Sequence, residues 1–589
     1  MSNLSDAIYL DDVPKSEWHN YIGNGYRAVH YMTDSERNGK IVLLGFDKGG
    51  NRKTFICPHQ SRLKYNCKFK TDEIDIYDHF VTTKFFKNSY DRKKYMEAAN
   101  GLNVIECMKP EAEFLHDMFD DVVLNDDFNK QQMRIHYLDI ETEISDVFMP
   151  PSQAENRINM ITLFDSQTQK FYTWSLEHAN INFVDEPLCN EPKDKFVFFE
   201  FHDNETALLE HFLDWYEDNY ADVIYGWNVR AYDMPYIVRR IENVLGKQAA
   251  TRLSPVNKYF IKQVNHDNSR ADVSADIEVE ISGLFIADGL VFYRDKFMIA
   301  PALDGGYNLS NVGEHEDLGR KIEYDGSLKD LYLQDYQKFY EYNVRDVDLC
   351  KRIDDKCHMI SLARQITSFG LSNYGAIYSS IGYLIGSVIS FSKTQMHKTF
   401  KSHMSEKLDF QGFEGAFVFP TVKGVYRGGI GTIDFASLYP SNIRSINASP
   451  ETYVGKVLVY RKDASGVKYC NIRNPNTGME DEKRFNIWKP GEEDEDELHY
   501  DDPSIDHLEL MLPNNQKKSI TLEQLRELVK TKCIWTANNT LFLKHEIKWG
   551  VIAKWCEYFY GLRKSTKKKM MKLFHLMHND EEVAKMTEQ

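Results

Sequence analysis

Asp139 and Glu141 stand two residues apart at the end of the run Met133-Arg134-Ile135-His136-Tyr137-Leu138-Asp139-Ile140-Glu141. On a strand, residues i and i+2 project from one face, so the two carboxylates converge. Two divalent cations about 4 Å apart need such a cluster of anionic oxygens, drawn from several segments. Asp233 is a third contributor. It follows the strand-like run Asp222-Val223-Ile224-Tyr225-Gly226-Trp227 and precedes Met234-Pro235, a pair suited to a first helical turn. Asp346 is a fourth, with Tyr342 one turn before it on a helical face, where a phenol would orient a water for attack on a phosphodiester. Singly, each has a plain structural explanation: a strand-end acid, a helix N-terminal acid, and surface and core positions of a helix. Cys57, His59 and Cys67 match no standard zinc spacing and read as packing residues.

Strands alternating with helices must position these carboxylates. Strands are expected at Ile158 to Phe164, Phe196 to Phe201 and Asp222 to Trp227, with a helix at Thr206 to Tyr216 and a closing helix from Asp330 to Lys356. This is an α/β pattern. Residues 265–274 are polar and turn-rich between strand-like flanks, which predicts an extended hairpin. Upstream, Lys40-Ile41-Val42-Leu43-Leu44-Gly45-Phe46 reads as a strand and Ser89 to Asn100 as a helix. Residues 359–405 look helical, with apolar spacing at Ile377, Ile381, Leu384 and Ile385. A strand is expected within Gly424 to Ile433, a surface insertion at about 460–515, and a helix from Lys544 onward.

At 589 residues the chain is too long for one core, so several domains are expected. No apolar run is long enough to span a bilayer; Ile377 to Phe391 is broken by serine and glycine, and the opening Met1-Ser2-Asn3-Leu4-Ser5-Asp6 is not a secretory signal. Nine cysteines occur without a C-x-x-C pair and read as reduced, buried thiols. A net charge of −17 excludes wholesale coating of nucleic acid, yet charge is segregated. Arg563, Lys564, Lys567, Lys568, Lys569 and Lys572 crowd one helical stretch, and acids cluster from Glu492 through Asp506.

In order, Asp139-x-Glu141, Asn228-x-x-x-Tyr232-Asp233 and Tyr342-x-x-x-Asp346 resemble the three motifs of the DEDDy proofreading exonucleases. Asp434-Phe435-Ala436-Ser437-Leu438-Tyr439-Pro440-Ser441 resembles the first carboxylate motif of family B DNA polymerases. Gly226-Trp227-Asn228, Arg252-Leu253-Ser254-Pro255, Tyr324-Asp325-Gly326 and Ser449-Pro450-Glu451-Thr452 look like the T-even-like phage members of that family, and matches run from about Asp139 to Lys569. The resemblance implies a multidomain chain of α/β and α+β type. Its parts are an N-terminal domain at 1–133 with a return segment at 359–405, an RNase H-like 3′-5′ exonuclease domain at 134–358, a partial palm at 406–545 and the first part of the fingers at 546–589.

The resemblance also implies site roles. Asp139, Glu141, Asp233 and Asp346 hold two Mg2+ or Mn2+ ions, and Lys321 approaches those ions or the scissile phosphate. In the polymerase site, Asp434 and the Phe435 carbonyl bind metal, Ser437 and Leu438 amides hold the triphosphate, and Tyr439 stacks beneath the deoxyribose. Arg563 and Lys567, one turn apart, contact the triphosphate. A solvated lysine-rich face is the plainer reading of that stretch. Three departures stand out. The second fingers helix, the Asp-Thr-Asp turn and the thumb are absent; Phe413-Glu414-Gly415-Ala416 lacks the phenol of the family's pre-palm element; and the stretch from about 460 to 545 is long and acidic.

The leading expectation is therefore the N-terminal subunit of a split family B polymerase. A C-terminal chain would bring the missing fingers helix, the Asp-Thr-Asp carboxylate and the thumb. Primer-template DNA and dNTP are the further partners, with a sliding clamp reached through that second chain, no membrane, and a cytoplasmic setting in a bacterial host. The alternatives are a stand-alone 3′-5′ exonuclease with a relic polymerase motif, a non-catalytic primer-template scaffold, and a truncated polymerase.

Overall fold

The run from Ile135 to Thr142 is largely buried along its length because it forms an inner strand of a mixed sheet. The structure is a computed structural model that describes residues 6–32, 39–99, 103–120, 132–143, 149–179, 189, 191–264, 276–300, 302–401, 423–429, 431, 434–435, 437–462, 468–470, 505–536 and 538–577. These divide into two compact units, Met1–Tyr65 with Thr83–Ser390, and Asn66–Thr82 with Phe391–Gln589.

In the first unit a six-stranded sheet runs, among the described residues, in the order Phe196–Glu200, Lys170–Ser175, Ile158–Asp165, Ile135–Thr142, Val223–Gly226, Phe285–Asp288. Ile135–Thr142 is antiparallel to Ile158–Asp165 and parallel to Val223–Gly226. All eight residues of Ile158–Asp165 are buried. Alternation along the Ile135 strand sorts its side chains. Leu138 and Ile140 enter a core with Trp174, Phe212 and Ile237, whereas Tyr137 enters the opposite core with Phe339, Val344 and Val347. Asp139 and Glu141 share Tyr137's parity, so they face the side covered by the helix Tyr336–Cys357.

The expected helix from Asp330 to Lys356 is two helices, Leu328–Gln334 and Tyr336–Cys357. Asp335 breaks it: its backbone is non-helical (φ −144°, ψ 73°), and its side chain accepts the Lys338 N–H as an N-cap. The hairpin flanks pair as Tyr259–Gln263 against Ile277–Ile281, with 265–275 outside the described residues.

A four-stranded sheet of Ile8–Tyr9, Arg52–Pro58, Lys40–Phe46 and Tyr26–Met32 lies in the same unit. The helix Ser89–Ala98 is capped by the Asn88 side chain, which accepts the Asp91 N–H. Cys57 is buried in its strand, and His59 Nε2 lies 3.0 Å from Glu113 Oε2. Eight cysteines are described as free thiols, with Cys57, Cys350, Cys533 and Cys556 buried and the other four half-buried. The segment after the Tyr336 helix returns to the N-terminal strands. Asn373 donates to Val29 O (2.8 Å) and accepts Val29 N–H (2.9 Å), and Tyr374 donates to Tyr26 O. Its final helix, Ser380–Met396, leaves Leu384 and Ile385 exposed, contrary to the apolar spacing, and turns Val388 and Ile389 inward. Gly386 sets this orientation, since a Cβ there would meet the Gly370 carbonyl.

One buried charge knot ties the N-terminal strands to the six-stranded sheet. Asp222 Oδ1 accepts from Arg27 Nη1 and Arg52 Nη2, both at 2.9 Å, and Oδ2 accepts the Arg134 N–H at 2.8 Å. Replacing Asp222 with alanine leaves the buried Arg27 guanidinium uncompensated, at a cost of about 3–5 kcal/mol. Urea denaturation of the Asp222→Ala chain should show that drop; a change below about 1 kcal/mol would contradict it.

The second unit is built on a sheet ordered Lys517–Ile520, Ile505–Met511, Tyr453–Lys462, Thr540–Leu543, Cys533–Trp535, with Lys468–Cys470 also paired to Tyr453–Lys462. The strand Ile505–Met511, at the end of the stretch expected as a surface insertion, is thus paired within this sheet. Leu508 and Leu510 alternate into the core with Val457, Val459 and Leu541, as a sheet strand requires. Residues 463–467 and 471–504 lie outside the described residues, as does Phe413–Ala416. No strand occurs at 423–429, where one was expected, and 430, 432 and 433 are not described. The last helix begins at Val551 instead of Lys544. Asn447 Nδ2 holds the Leu543 and Lys548 carbonyls at 2.7 and 2.8 Å, which keeps the intervening residues in a turn.

Candidate active site

Three of the predicted carboxylates converge. Ligand oxygens of Asp139, Glu141 and Asp346 lie within 4.8 Å of one another. Asp139 and Glu141 come from one face of the Ile135 strand, and Asp346 from the helix packed over that face. Asp233 begins the helix Asp233–Leu245, and its Oδ1 accepts the Ile140 N–H at 3.3 Å, between the two strand acids. It borders the trio without joining it. Pro235 sits in the first turn of that helix, where its missing N–H costs nothing.

Burial and mutual repulsion dominate the electrostatics. Asp139 is held well above the usual carboxylate range by burial and then by Asp233, Asp346 and Glu141. Glu141 is pushed up to about 8, by burial first and the Asp346 charge second, against the Lys321 ammonium. Asp233 rises to about 7 through burial, opposed by backbone N–H donors. Burial also raises Asp346, against Lys321. Four carboxyls in this state are a site short of positive charge.

Lys321 supplies some. Its Nζ lies 2.5 Å from Asp346 Oδ2 and donates to Tyr342 Oη at 2.9 Å. Burial favours its neutral form, but Asp346 and Tyr342 outweigh that and the ammonium is held. Tyr342 keeps its phenolic proton, its pKa raised by burial and by Asp346. The Tyr324 ring meets the Tyr342 ring edge-on at 5.5 Å. Asp346 Oδ1, by contrast, is buried and without a hydrogen-bond partner. An orphan carboxylate oxygen beside two more carboxylates fits a divalent cation, which satisfies acceptors that no protein donor reaches.

Asn343 was not among the residues singled out from the sequence. Its Nδ2 donates to Asp139 Oδ2 at 2.7 Å, across 204 positions of chain. Only its place beside Tyr342, on the site-facing helix, was available as a signal.

The other predicted constellation lies in the second unit. Asp434 and Phe435 are exposed, and Ser437, in a left-handed conformation (φ 55°), starts the helix Leu438–Ser445. Tyr439 is 71% exposed. Arg563 and Lys567 are exposed on the helix Val551–Met577. The structure brings the two helices together through Arg444, whose Nε lies 2.5 Å from Glu557 Oε2 and whose guanidinium covers the Tyr560 ring at 4.4 Å. Ser449-Pro450-Glu451-Thr452 anchors the start of the basic helix. Glu451 Oε1 accepts the Val551 N–H and Asn447 Oδ1 accepts the Gly550 N–H, which places an acid at a helix N-terminus. Gly550 is required here because a Cβ would lie 2.5 Å from Ser449 Cβ. Among the described residues, no carboxylate trio forms around Asp434.

Residues 76–312 match the DNA polymerase family B exonuclease domain, and residues 386–484 match DNA polymerase family B. The DNA-directed DNA polymerase of Escherichia phage RB69 is 27% identical over 445 residues, covering 72% of this chain and 47% of that protein. The chain belongs to the family B DNA polymerases. That of Enterobacteria phage T4 is 26% identical over 448 residues, 73% of this family B chain and 48% of its own. The DNA polymerase catalytic subunit of Alcelaphine herpesvirus 1 (strain C500) is 25% identical over 263 residues, 43% of this chain and 24% of its own. The chain thus spans about half the length of the two phage polymerases it matches. Of the converging trio, Asp139 and Glu141 lie inside the exonuclease-domain match, as does the bordering Asp233, whereas Asp346 lies beyond its end; Asp434 lies inside the second match. No described helix is long and apolar enough to cross a membrane.

Proposed function

We propose that this chain is a metal-dependent 3′→5′ DNA exonuclease of the DEDDy proofreading type and the N-terminal subunit of a family B polymerase. The observation that carries the first part is the orphan Asp346 Oδ1 within a trio of convergent carboxylates. Asp139, Glu141, Asp233 and Asp346 would hold two divalent cations, Mg2+ or Mn2+. Bound there, the cations supply charge neutralisation of the phosphodiester and a water acidic enough to attack at neutral pH.

The chain's own residues do the rest. Tyr342, kept protonated, orients the attacking water through its Oη, and Lys321 Nζ fixes that phenol at 2.9 Å. The same ammonium would approach the scissile phosphate, where a fixed cation in a partly buried site is most effective. Asp434, Phe435, Ser437, Leu438 and Tyr439, with Arg563 and Lys567, form one side of a dNTP site. An Asp-Thr-Asp carboxylate, the second fingers helix and the thumb would complete this site, and in our reading a C-terminal polymerase chain brings them, together with any sliding-clamp contact. The expected setting is the cytoplasm of a bacterial host.

The test is degradation of a 3′-recessed or single-stranded DNA by the purified chain with magnesium, with and without a C-terminal polymerase chain. Degradation by the chain alone, with dNTP incorporation only on mixing, is the expected result. Incorporation by this chain alone overturns the two-chain assignment, and DNA binding without degradation identifies a scaffold. Degradation without incorporation on mixing identifies a stand-alone exonuclease.

A further inference from the structure

Asn343 is fully buried between Phe339 and Val347 on the sheet-facing side of the Tyr336–Cys357 helix. A carboxamide there is costly. Its Nδ2 reaches Asp139 Oδ2 at 2.7 Å, while its Oδ1 is buried with no hydrogen-bond partner. An unmet buried acceptor costs about 1–3 kcal/mol, which a leucine of similar size would avoid. Rotating the amide brings no relief, because its oxygen would then face the Asp139 carboxylate. Packing therefore gives no reason for asparagine at this position.

The site does. Asp139 belongs to the strand, whereas Tyr342 and Asp346 belong to the helix, one residue before Asn343 and three after it. We infer that Asn343 is a positioning residue: its amide holds one oxygen of Asp139 and so fixes the carboxylate plane, leaving the other oxygen aimed at the cation bound by Asp139, Glu141 and Asp346. The bond also locks the strand-borne ligands to the helix-borne ones, and so fixes the spacing the trio needs. A hydrogen bond to a ligating carboxylate orients it, and losing such a bond typically costs about 10–100-fold in metal affinity or activity. This inference rests on the reading of the carboxylate trio as a metal site.

Two substitutions separate positioning from bulk structure. Asn343→Leu fills the same volume without a polar atom, and Asn343→Ala removes the side chain. Mn2+ affinity of the full chain, without DNA, is read from the electron paramagnetic resonance of free Mn2+, alongside the thermal midpoint in EDTA. For Asn343→Leu the expected result is Mn2+ affinity about 10–100-fold weaker with an equal or higher midpoint, and exonuclease activity recovered at high Mn2+. A structural role alone would move midpoint and affinity together. Should Asn343→Leu fail to fold, Asn343→Ala is read the same way, its affinity loss judged at a temperature where it is folded. Affinity within twofold of the parent overturns the inference, provided that Asp139→Ala weakens Mn2+ binding in the same assay. If Asp139→Ala leaves Mn2+ binding unchanged, the metal-site reading itself fails.

Discussion

Asp139→Ala should lower magnesium-dependent 3′→5′ degradation by this chain about a thousandfold, while the metal-free protein becomes no less stable. The first part follows from what a ligand does. A bound cation contributes several kcal/mol of charge stabilisation to phosphoryl transfer, and each 1.36 kcal/mol is a factor of ten in rate. The second part follows from the geometry. Asp139 is pushed up by burial and by three neighbouring carboxyls, so removing it relieves repulsion that no cation offsets in EDTA. Most substitutions of buried groups lower stability; here activity should fall without that loss, the signature of a functional cluster. The control is Asp434→Ala, in the other compact unit, which should leave degradation unchanged. Rates on a 3′-labelled oligonucleotide and thermal midpoints in EDTA test both parts. A loss below tenfold for Asp139→Ala would remove Asp139 from the metal site.

Legibility from sequence followed locality. Asp139 and Glu141 were readable because strand alternation relates i to i+2, and Tyr342 and Asp346 because a helical turn relates i to i+4. The strand Lys40–Phe46 and the helix at Ser89 were readable for the same reason. What failed was of two kinds. Short polar devices override periodicity: Asp335 splits a helix by capping its own successor, and Asn447 holds two carbonyls where a helix was expected. Composition misleads near acidic segments, where the alternation of Leu508 and Leu510 was outweighed by surrounding charge. The bond from Asn343 to Asp139 joins residues 204 apart and has no local trace. The Asp222 knot is equally silent, since its three arginine partners come from separate segments.

The metal-free chain should lose stability as pH rises from 6.5 to 8, and Mn2+ should abolish that loss. Glu141 has its carboxyl pushed from 4.5 to about 8, and Asp233 from 3.8 to about 7. A carboxyl with a raised folded pKa binds its proton more tightly folded than unfolded. Its stabilising contribution is complete below the unfolded value and disappears as pH climbs through the folded one. Across 6.5 to 8 the unfolded carboxylates are already ionised, so Glu141 alone carries a slope that starts at about −1.4 kcal/mol per pH unit and falls to about half that at pH 8, or about 1.6 kcal/mol over the window. The lower bound of the window is set by His136, whose depressed pKa acts with the opposite sign below 6.5. Asp117, lowered to about 2 by its arginine and lysine partners against burial, titrates far below it. Cations compete with the protons for the same oxygens, so their stabilisation should be largest at the alkaline end. Thermal midpoints in EDTA and in Mn2+ at pH 6.5, 7.25 and 8 decide the matter. Midpoints in EDTA that stay level or rise would show that the four carboxyls do not share one buried site.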